Sequence, residues 1–337
     1  MSKPRKATGR ASGLPKASPR RSPTPGRVPP GGKGRAAPGA PSGKTGARTG
    51  GKAGAARSAP GRAGASRTSA GAGRGSPSYE ARGASRRRNG VGGDQVEGRQ
   101  AVRELLLAGR RRVREIWLLA DVEPSPILED IRELADAERV PVREVARGKF
   151  FGEARCEAPQ GVLAKAEELP EVLLDDLATA RPRGRPPFLI ALDGVTDPGN
   201  LGALLRSAEC SGVTGVVLPR HRAVHVTPTV TKAAAGAVEH LPFAIAGGLP
   251  TALQQLRGHG VWVVGLDAGG TTGLWDLPAA DGPICLVLGA EGAGLSRLVR
   301  QRCDEVVSIP LLGTLASLNV AAAAALACFE VARARTR

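Results

Sequence analysis

Three short runs in the second half of the chain combine glycines with polar side chains able to hold a ligand. The first, DGVTDPGNLG at residues 193–202, makes an Asp-Pro-Gly turn, places Asn200 as a helix cap and puts Arg206 on the helix's second turn. The second is GAEGAGLS at residues 289–296, where Gly289, Gly292 and Gly294 surround Glu291. Glycines there let backbone amides approach a bound group, and a helix N-terminus follows. The spacing is not that of a dinucleotide loop, and Glu291 would repel a pyrophosphate. The third, IPLLGTLASLNV at residues 309–320, again runs from apolar strand to Gly313 turn to polar cap, with Ser317 and Asn319. On physical grounds alone the three support a ligand-binding α/β domain.

Other candidates fall away. SGKT at residues 42–45 looks like the end of a phosphate-binding loop, but that motif needs Gly where Pro38 stands, and no strand precedes it. His221, His225, His240 and His259 show no metal-ligand spacing. The five cysteines are odd in number and form no Cys-x-x-Cys pair; three lie among apolar neighbours. That pattern predicts reduced thiols, a cytoplasmic setting and no structural metal.

The elements that position the three runs alternate. Apolar segments at 188–192, 215–218, 241–245, 261–266, 284–288 and 305–309 suit buried parallel strands. Helices are predicted at 200–210, 230–238, 250–256 and 296–301, with a last one over 318–333. A ligand of such a sheet sits beyond the carboxyl ends of its strands, where all three runs lie. A smaller α/β unit comes before it: a helix over 96–107, a strand over 113–119, a helix opened by Pro126, and strands at 140–145 and 161–164. Its consecutive Arg110, Arg111 and Arg112 read as a solvated turn or as a loop facing RNA. Residues 168–180 are a candidate helix. The expected division is an arm over 1–93, a small α/β domain over 94–167, a linker over 168–187 and the larger domain over 188–337.

In their order and spacing, Asn200 with Arg206, Gly289 with Glu291 and Gly292, and Ser317 with Leu318 and Asn319 resemble the SpoU (TrmH) family of RNA ribose 2′-O-methyltransferases. This family lies in the SPOUT superfamily, and the resemblance spans about residues 188–333. The small domain, from VEGRQAV at 96–102 to PQGV at 159–162, looks like the ribosomal-protein-like, RNA-substrate-binding module of many members. DGVTDPGNLG and the SLNV at 317–320 favour the members that methylate a guanosine of 23S ribosomal RNA. The alternatives are a transfer-RNA or antibiotic-resistance methyltransferase of the same family, or a non-catalytic RNA-binding ribosome-assembly factor.

The resemblance implies a C-terminal α/β knot, a deep trefoil that breaks the usual unknotted rule. It implies S-adenosylmethionine as methyl donor, without a metal. The second and third runs would hold it bent through Gly289, Ile309 and Leu318, with Leu288, Gly292 and Pro310 beside them. It also implies a homodimer that shares its RNA pocket. Ala316 departs from the acid or Ser that many relatives carry.

Of the candidate catalytic residues, Arg206 is the one the resemblance assigns to activating the 2′-hydroxyl. A guanidinium with a pKa above about 12 is a poor base. The physical reading has it gripping the adjacent phosphate while a phosphate or water takes the proton; the plain reading is a surface cation. Asn200 holds the loop or Arg206, or only caps its helix. Glu291 orders its loop or touches the sugar, and Ser317 and Asn319 fix the nucleotide and the knot loop, although capping alone accounts for Ser317.

Charge is unevenly placed. Met1–Gly90 carries 21 of the 48 Lys and Arg residues and one acid, Glu80, which leaves 27 basic and 30 acidic residues for the remainder. Rich in Gly, Pro, Ser and Ala and almost without large apolar residues, this arm has no core to bury and is expected to be disordered. Its partner would be an RNA backbone, bound by counterion release without sequence choice; a solubilising tail is the simpler alternative. No apolar run reaches membrane-spanning length, and no signal or transit pattern is present.

Overall fold

The computed structural model describes residues 90–221, 225–277 and 280–336. The SGKT run and nearly all of the basic arm, whose expected disorder is among the readings above, lie outside the described residues.

A glycine marks the start of the small domain. Gly98, at φ 99°, separates strand β1 (Gln95–Glu97) from helix α1 (Arg99–Ala108), so the helix expected from residue 96 begins only at Arg99. The chain continues through β2 (Val113–Leu119), α2 (Pro126–Ala137), β3 (Val142–Val145), α3 (Arg147–Glu153) and β4 (Val162–Ala166). The sheet order is β1-β4-β2-β3, with β2 and β3 parallel and the other pairs antiparallel. Leu105, Leu128 and Ile131 of α1 and α2 pack on Ile116, Leu118 and Val162, while Phe150 of α3 closes the opposite face over Trp117 and Leu163. Sequence periodicity missed α3 because Phe150 is its one buried residue.

Within the expected 168–180 helix, only α4 (Leu174–Thr179) is helical; Leu169 instead bridges to Val91. The larger domain then runs β5 (Phe188–Asp193), α5 (Pro198–Cys210), β6 (Gly215–Pro219), α6 (Pro228–Ala233), β7 (Phe243–Ala246), α7 (Leu249–Gly258), β8 (Trp262–Leu266), β9 (Thr272–Gly273), β10 (Ile284–Gly289), α8 (Arg297–Arg300), β11 (Glu305–Ser308) and α9 (Val320–Arg335). Its strands form one sheet in the order β7-β6-β5-β10-β8-β11-β9, every pair parallel. Each face is covered by its own apolar cluster, with α5 and α9 side by side on one of them. This is an α/β fold with a buried parallel sheet.

The helix expected over 230–238 breaks. Ala235 (φ 50°) and Gly236 (φ 85°) turn left-handed after α6, and a single 3-10 turn follows at Ala237–Glu239. A Cβ on Gly236 would lie 2.5 Å from the Cβ of Glu104 on α1, so the break is where the small domain sits against the larger one.

That junction corrects the reading of the triple-arginine turn. Arg111 and Glu239 form a two-pronged ion pair, Nε to Oε2 at 3.0 Å and Nη2 to Oε1 at 2.5 Å, with side chains 1% and 0% exposed. Arg111 also donates to the carbonyls of Gly93 and Glu167, and Arg110 to those of Glu239 and Leu241. Only Arg112 of the three stays exposed. The fork geometry of two guanidiniums is engaged in fastening the domains together, not in facing RNA.

Candidate functional site

The three runs meet at the carboxyl ends of the central strands. Asp193 and Gly289, the last residues of β5 and β10, are paired in register, so the first two runs leave the sheet side by side. The third begins after β11, two strands beyond β10, and crosses back to α9 beside α5.

Local capping differs from expectation at two places. Asp197, not Asn200, caps α5: its carboxylate accepts the Asn200 amide at 2.6 Å. Asn319, not Ser317, caps α9, its Oδ1 accepting from the amides of Ala321 (2.9 Å) and Ala322 (3.3 Å). Freed from capping, the Asn200 side chain joins all three runs. Its Nδ2 donates to Glu291 Oε2 at 3.1 Å, and its Oδ1 accepts from Asn319 Nδ2 at 2.8 Å. The carboxylate can only accept, which fixes the orientation of both amides along this Glu291–Asn200–Asn319 chain.

Next to this chain is a cavity of about 240 Å³, open to solvent. Of the residues expected to hold a cofactor, Leu288, Gly289, Gly292, Ile309 and Leu318 line it and Pro310 does not. Glu291 and Ser317 also line it; Asn200, Asn319 and Arg206 do not. Arg206 is exposed on α5 and makes no hydrogen bond or ion pair among the described residues.

Two of the three glycines serve the loop's own fold. A Cβ on Gly289 would lie 2.3 Å from the carbonyl carbon of Gly294, and Ala290 and Gly294 exchange backbone hydrogen bonds of 3.1 and 2.9 Å. Gly292, at φ 77°, has nothing within 4 Å of where a Cβ would stand. Two carboxylates that sequence reasoning passed over hold this loop from behind. Asp193 accepts from the Ser296 amide at 2.7 Å, and Asp267, just past β8, from the Leu295 amide at 3.2 Å. Burial pushes the Asp267 carboxyl up, but the amides of Gly269 and Leu295 and the Arg300 guanidinium outweigh it and hold the group below its ordinary value. The one available signal was position, an acid directly after an apolar strand.

Among the described residues no cluster of His, Cys, Asp and Glu is arranged to hold a metal ion, and no helix is long and apolar enough to cross a membrane.

Comparison with known proteins settles the family. The SpoU rRNA Methylase family matches residues 187–329, and the RNA 2′-O ribose methyltransferase substrate binding family matches residues 95–172. The chain is 34% identical to the 23S rRNA (guanosine-2′-O-)-methyltransferase RlmB of Photobacterium profundum, over 72% of this chain and 98% of that one. The chain belongs to the SpoU rRNA methylase family. Another relative, the RlmB of Ralstonia nicotianae, is 40% identical to this SpoU protein over 71% of it and 95% of the relative. Among solved structures, the SpoU methyltransferase AviRb from Streptomyces viridochromogenes, in complex with the cofactor AdoMet, superposes with a TM-score of 0.60 at 28% identity. That match covers 72% of this chain and 90% of AviRb.

The cavity of this SpoU protein fits a group that joins a flat apolar base to polar edges. Leu266, Leu288, Ile309, Leu311 and Leu318 supply apolar walls. Among the described residues, the backbone groups of Ile309, Leu311, Ala316, Ser317 and Leu318 in the cavity wall make no hydrogen bond, which leaves their amides and carbonyls free for a ligand's edges.

Proposed function

We propose that this chain transfers the methyl group of S-adenosylmethionine to a ribose 2′-hydroxyl of RNA, and that the acceptor is a guanosine of 23S ribosomal RNA. The observation that carries the reading is the hydrogen-bonded chain Glu291–Asn200–Asn319, which joins three separate runs at the edge of a glycine-lined apolar cavity. SpoU membership and the likeness to RlmB proteins support the donor and the acceptor.

When bound, S-adenosylmethionine supplies an electrophilic sulfonium methyl. Gly289, Gly292, Ile309 and Leu318 hold it, with Leu288 behind and Pro310 stiffening the turn after β11. The chain's own contribution is alignment, since methyl transfer depends on in-line approach of the hydroxyl oxygen. Glu291 and Asn319, oriented by Asn200, fix the acceptor sugar and the loop over the cavity, and Ser317 faces the same space. Arg206 grips the phosphate next to the acceptor and orients the hydroxyl, whose proton passes to a phosphate or water. The small domain, residues 94–167, receives the RNA, and residues 168–187 tie it to the methyltransferase domain of 188–337.

Support for a trefoil knot comes from the third run, which leaves β11, two strands beyond β10, and leads into α9 packed on α5. Apolar side chains left bare support a homodimer: Leu312 is 99% exposed and Leu315 79%, and Leu326 and Phe329 of α9 are exposed as well. A ribosomal RNA acceptor supports a cytoplasmic location.

The test is a map of 2′-O-methyl groups in ribosomal and transfer RNA from a strain without the gene. A single guanosine of 23S RNA should lose its methyl group and regain it on complementation. Loss at a transfer RNA instead would refute the acceptor, and loss nowhere would favour a non-catalytic assembly factor.

A further inference from the structure

Two of the cavity's walls, besides the one the third run supplies, belong to separate loops. One is the glycine loop, through residues 290–294, and the other is the turn at residues 267–270 that follows β8, through Asp267 and Ala268. Asp267 connects them. Its Oδ2 accepts the Leu295 amide of the first wall at 3.2 Å, and its Oδ1 accepts the Gly269 amide of its own wall at 2.9 Å.

Arg300 completes the joint from α8. Its Nη1 lies 2.8 Å from Asp267 Oδ1, and its Nη2 donates to the Gly269 carbonyl at 2.8 Å. The fit is tight: a Cβ on Gly294, which sits at φ 65°, would stand 2.6 Å from Asp267 Oδ2. Behind the turn, a Cβ on Gly270 would stand 2.4 Å from the carbonyl carbon of Val307 on β11, so the 267–270 wall cannot retreat. Amide-to-carboxylate bonds are about twice as strong as neutral ones, and a wall held before binding needs no ordering when the ligand arrives.

We propose that Asp267 is a positioning residue for the cofactor: with Arg300 as its counter-charge, it sets the gap between the two walls and so the affinity for S-adenosylmethionine, without contacting RNA. The proposal rests on reading the cavity as the cofactor site. Asp193 holds the far end of the same loop through Ser296, but it stands under the motif and does not bridge two walls.

The experiment is isothermal titration of the full-length chain with S-adenosylmethionine, alongside steady-state methylation of RNA, for the parent, Asp267→Asn, Asp267→Glu and Arg300→Gln. Removing the charged acceptor should raise the cofactor Kd and KM about tenfold. At saturating cofactor, kcat and the RNA Kd should stay within about twofold of the parent, since neither depends on the joint. Asp267→Glu should recover part of the affinity, and Arg300→Gln should weaken it less than Asp267→Asn does.

A fall in kcat at unchanged cofactor KM would overturn the proposal, as would an Asp267→Asn protein that binds the cofactor like its parent. Should Asp267→Asn fail to fold, Arg300→Gln keeps the carboxylate and still reports the joint: unchanged cofactor affinity there would count against it. A parent that binds no S-adenosylmethionine would overturn the methyl-donor reading itself, a result distinct from a parent and variant that bind equally.

Discussion

Replacing Glu239 by Gln removes one charge from the most enclosed ion pair at the domain junction and keeps the side chain's shape. Arg111 is 1% exposed and stays in place, so its guanidinium would be left as a buried charge without a counter-charge. Breaking a buried pair from one side costs about 3–5 kcal/mol. Here the carbonyls of Gly93 and Glu167 still accept from Arg111, which argues for the low end, about 3 kcal/mol. For a folded body of this size that is a fall of roughly 6–12 °C in Tm.

The control is the double replacement Arg111→Met with Glu239→Leu. It removes both charges and leaves the two carbonyls without a donor, at about 1 kcal/mol each. The double variant should therefore lose less than Glu239→Gln, although it changes more atoms. Urea denaturation followed by circular dichroism, with the m-value checked against the parent, measures both. A Glu239→Gln loss under about 1 kcal/mol, or a double variant less stable than the single one, would refute the view that an unpaired buried charge is what matters at this junction.

Asn200→Asp should reduce turnover more than Asn200→Ala, because the new carboxylate would face Glu291 where the amide now donates at 3.1 Å and would lose its donor side. Single-turnover methylation with saturating cofactor compares the two, and a milder effect for Asp would contradict the bonding order assigned to the chain. Arg206→Ala should abolish turnover and leave cofactor affinity nearly unchanged, since Arg206 does not line the cavity; a matched loss of affinity would place it in the wrong role. Asp267 titrates below its ordinary value of 3.8 when folded, so the stability it contributes is complete above that value and is lost as pH falls through the lower, folded one. The stability gap between parent and Asp267→Asn should thus be flat from about pH 5 to pH 8 and close in stronger acid, as thermal melts across that range would show.

The parts legible in the sequence were those whose cause is local. An apolar run, a glycine turn and a polar residue at its end located the β5, β10 and β11 termini, because burial and chain reversal each leave a mark within a few residues. What stayed hidden was which of several equivalent groups does which job. Asp197 and Asn200 are both good caps and lie on the same turn; only the bonds from Asn200 to Glu291 and Asn319, 91 and 119 residues away, show that Asp197 takes the cap. Ser317 and Asn319 pose the same choice, and there Asn319 does both, capping α9 with its Oδ1 and donating to Asn200 from its Nδ2.

The arginine turn is a clearer instance. A guanidinium answers to any acceptor that its fork can reach, RNA phosphate or buried carboxylate alike, and the carboxylate that claims Arg111 lies 128 residues further on. Clustered charge therefore singled out the turn, but neither the solvated nor the RNA-facing reading had the rest of the chain as the partner. The separation of binding groups from supporting groups was hidden in the same way. Gly289 and Gly294 line the cavity and also meet each other, a second demand that the glycine spacing did not reveal. Asp267, which does shape the cavity, carries no motif because its partners, Leu295 and Arg300, belong to a different strand's loop and helix. A site assembled from the ends of parallel strands hides its cross-bracing from the sequence, because each brace joins residues that are neighbours only once the sheet has formed.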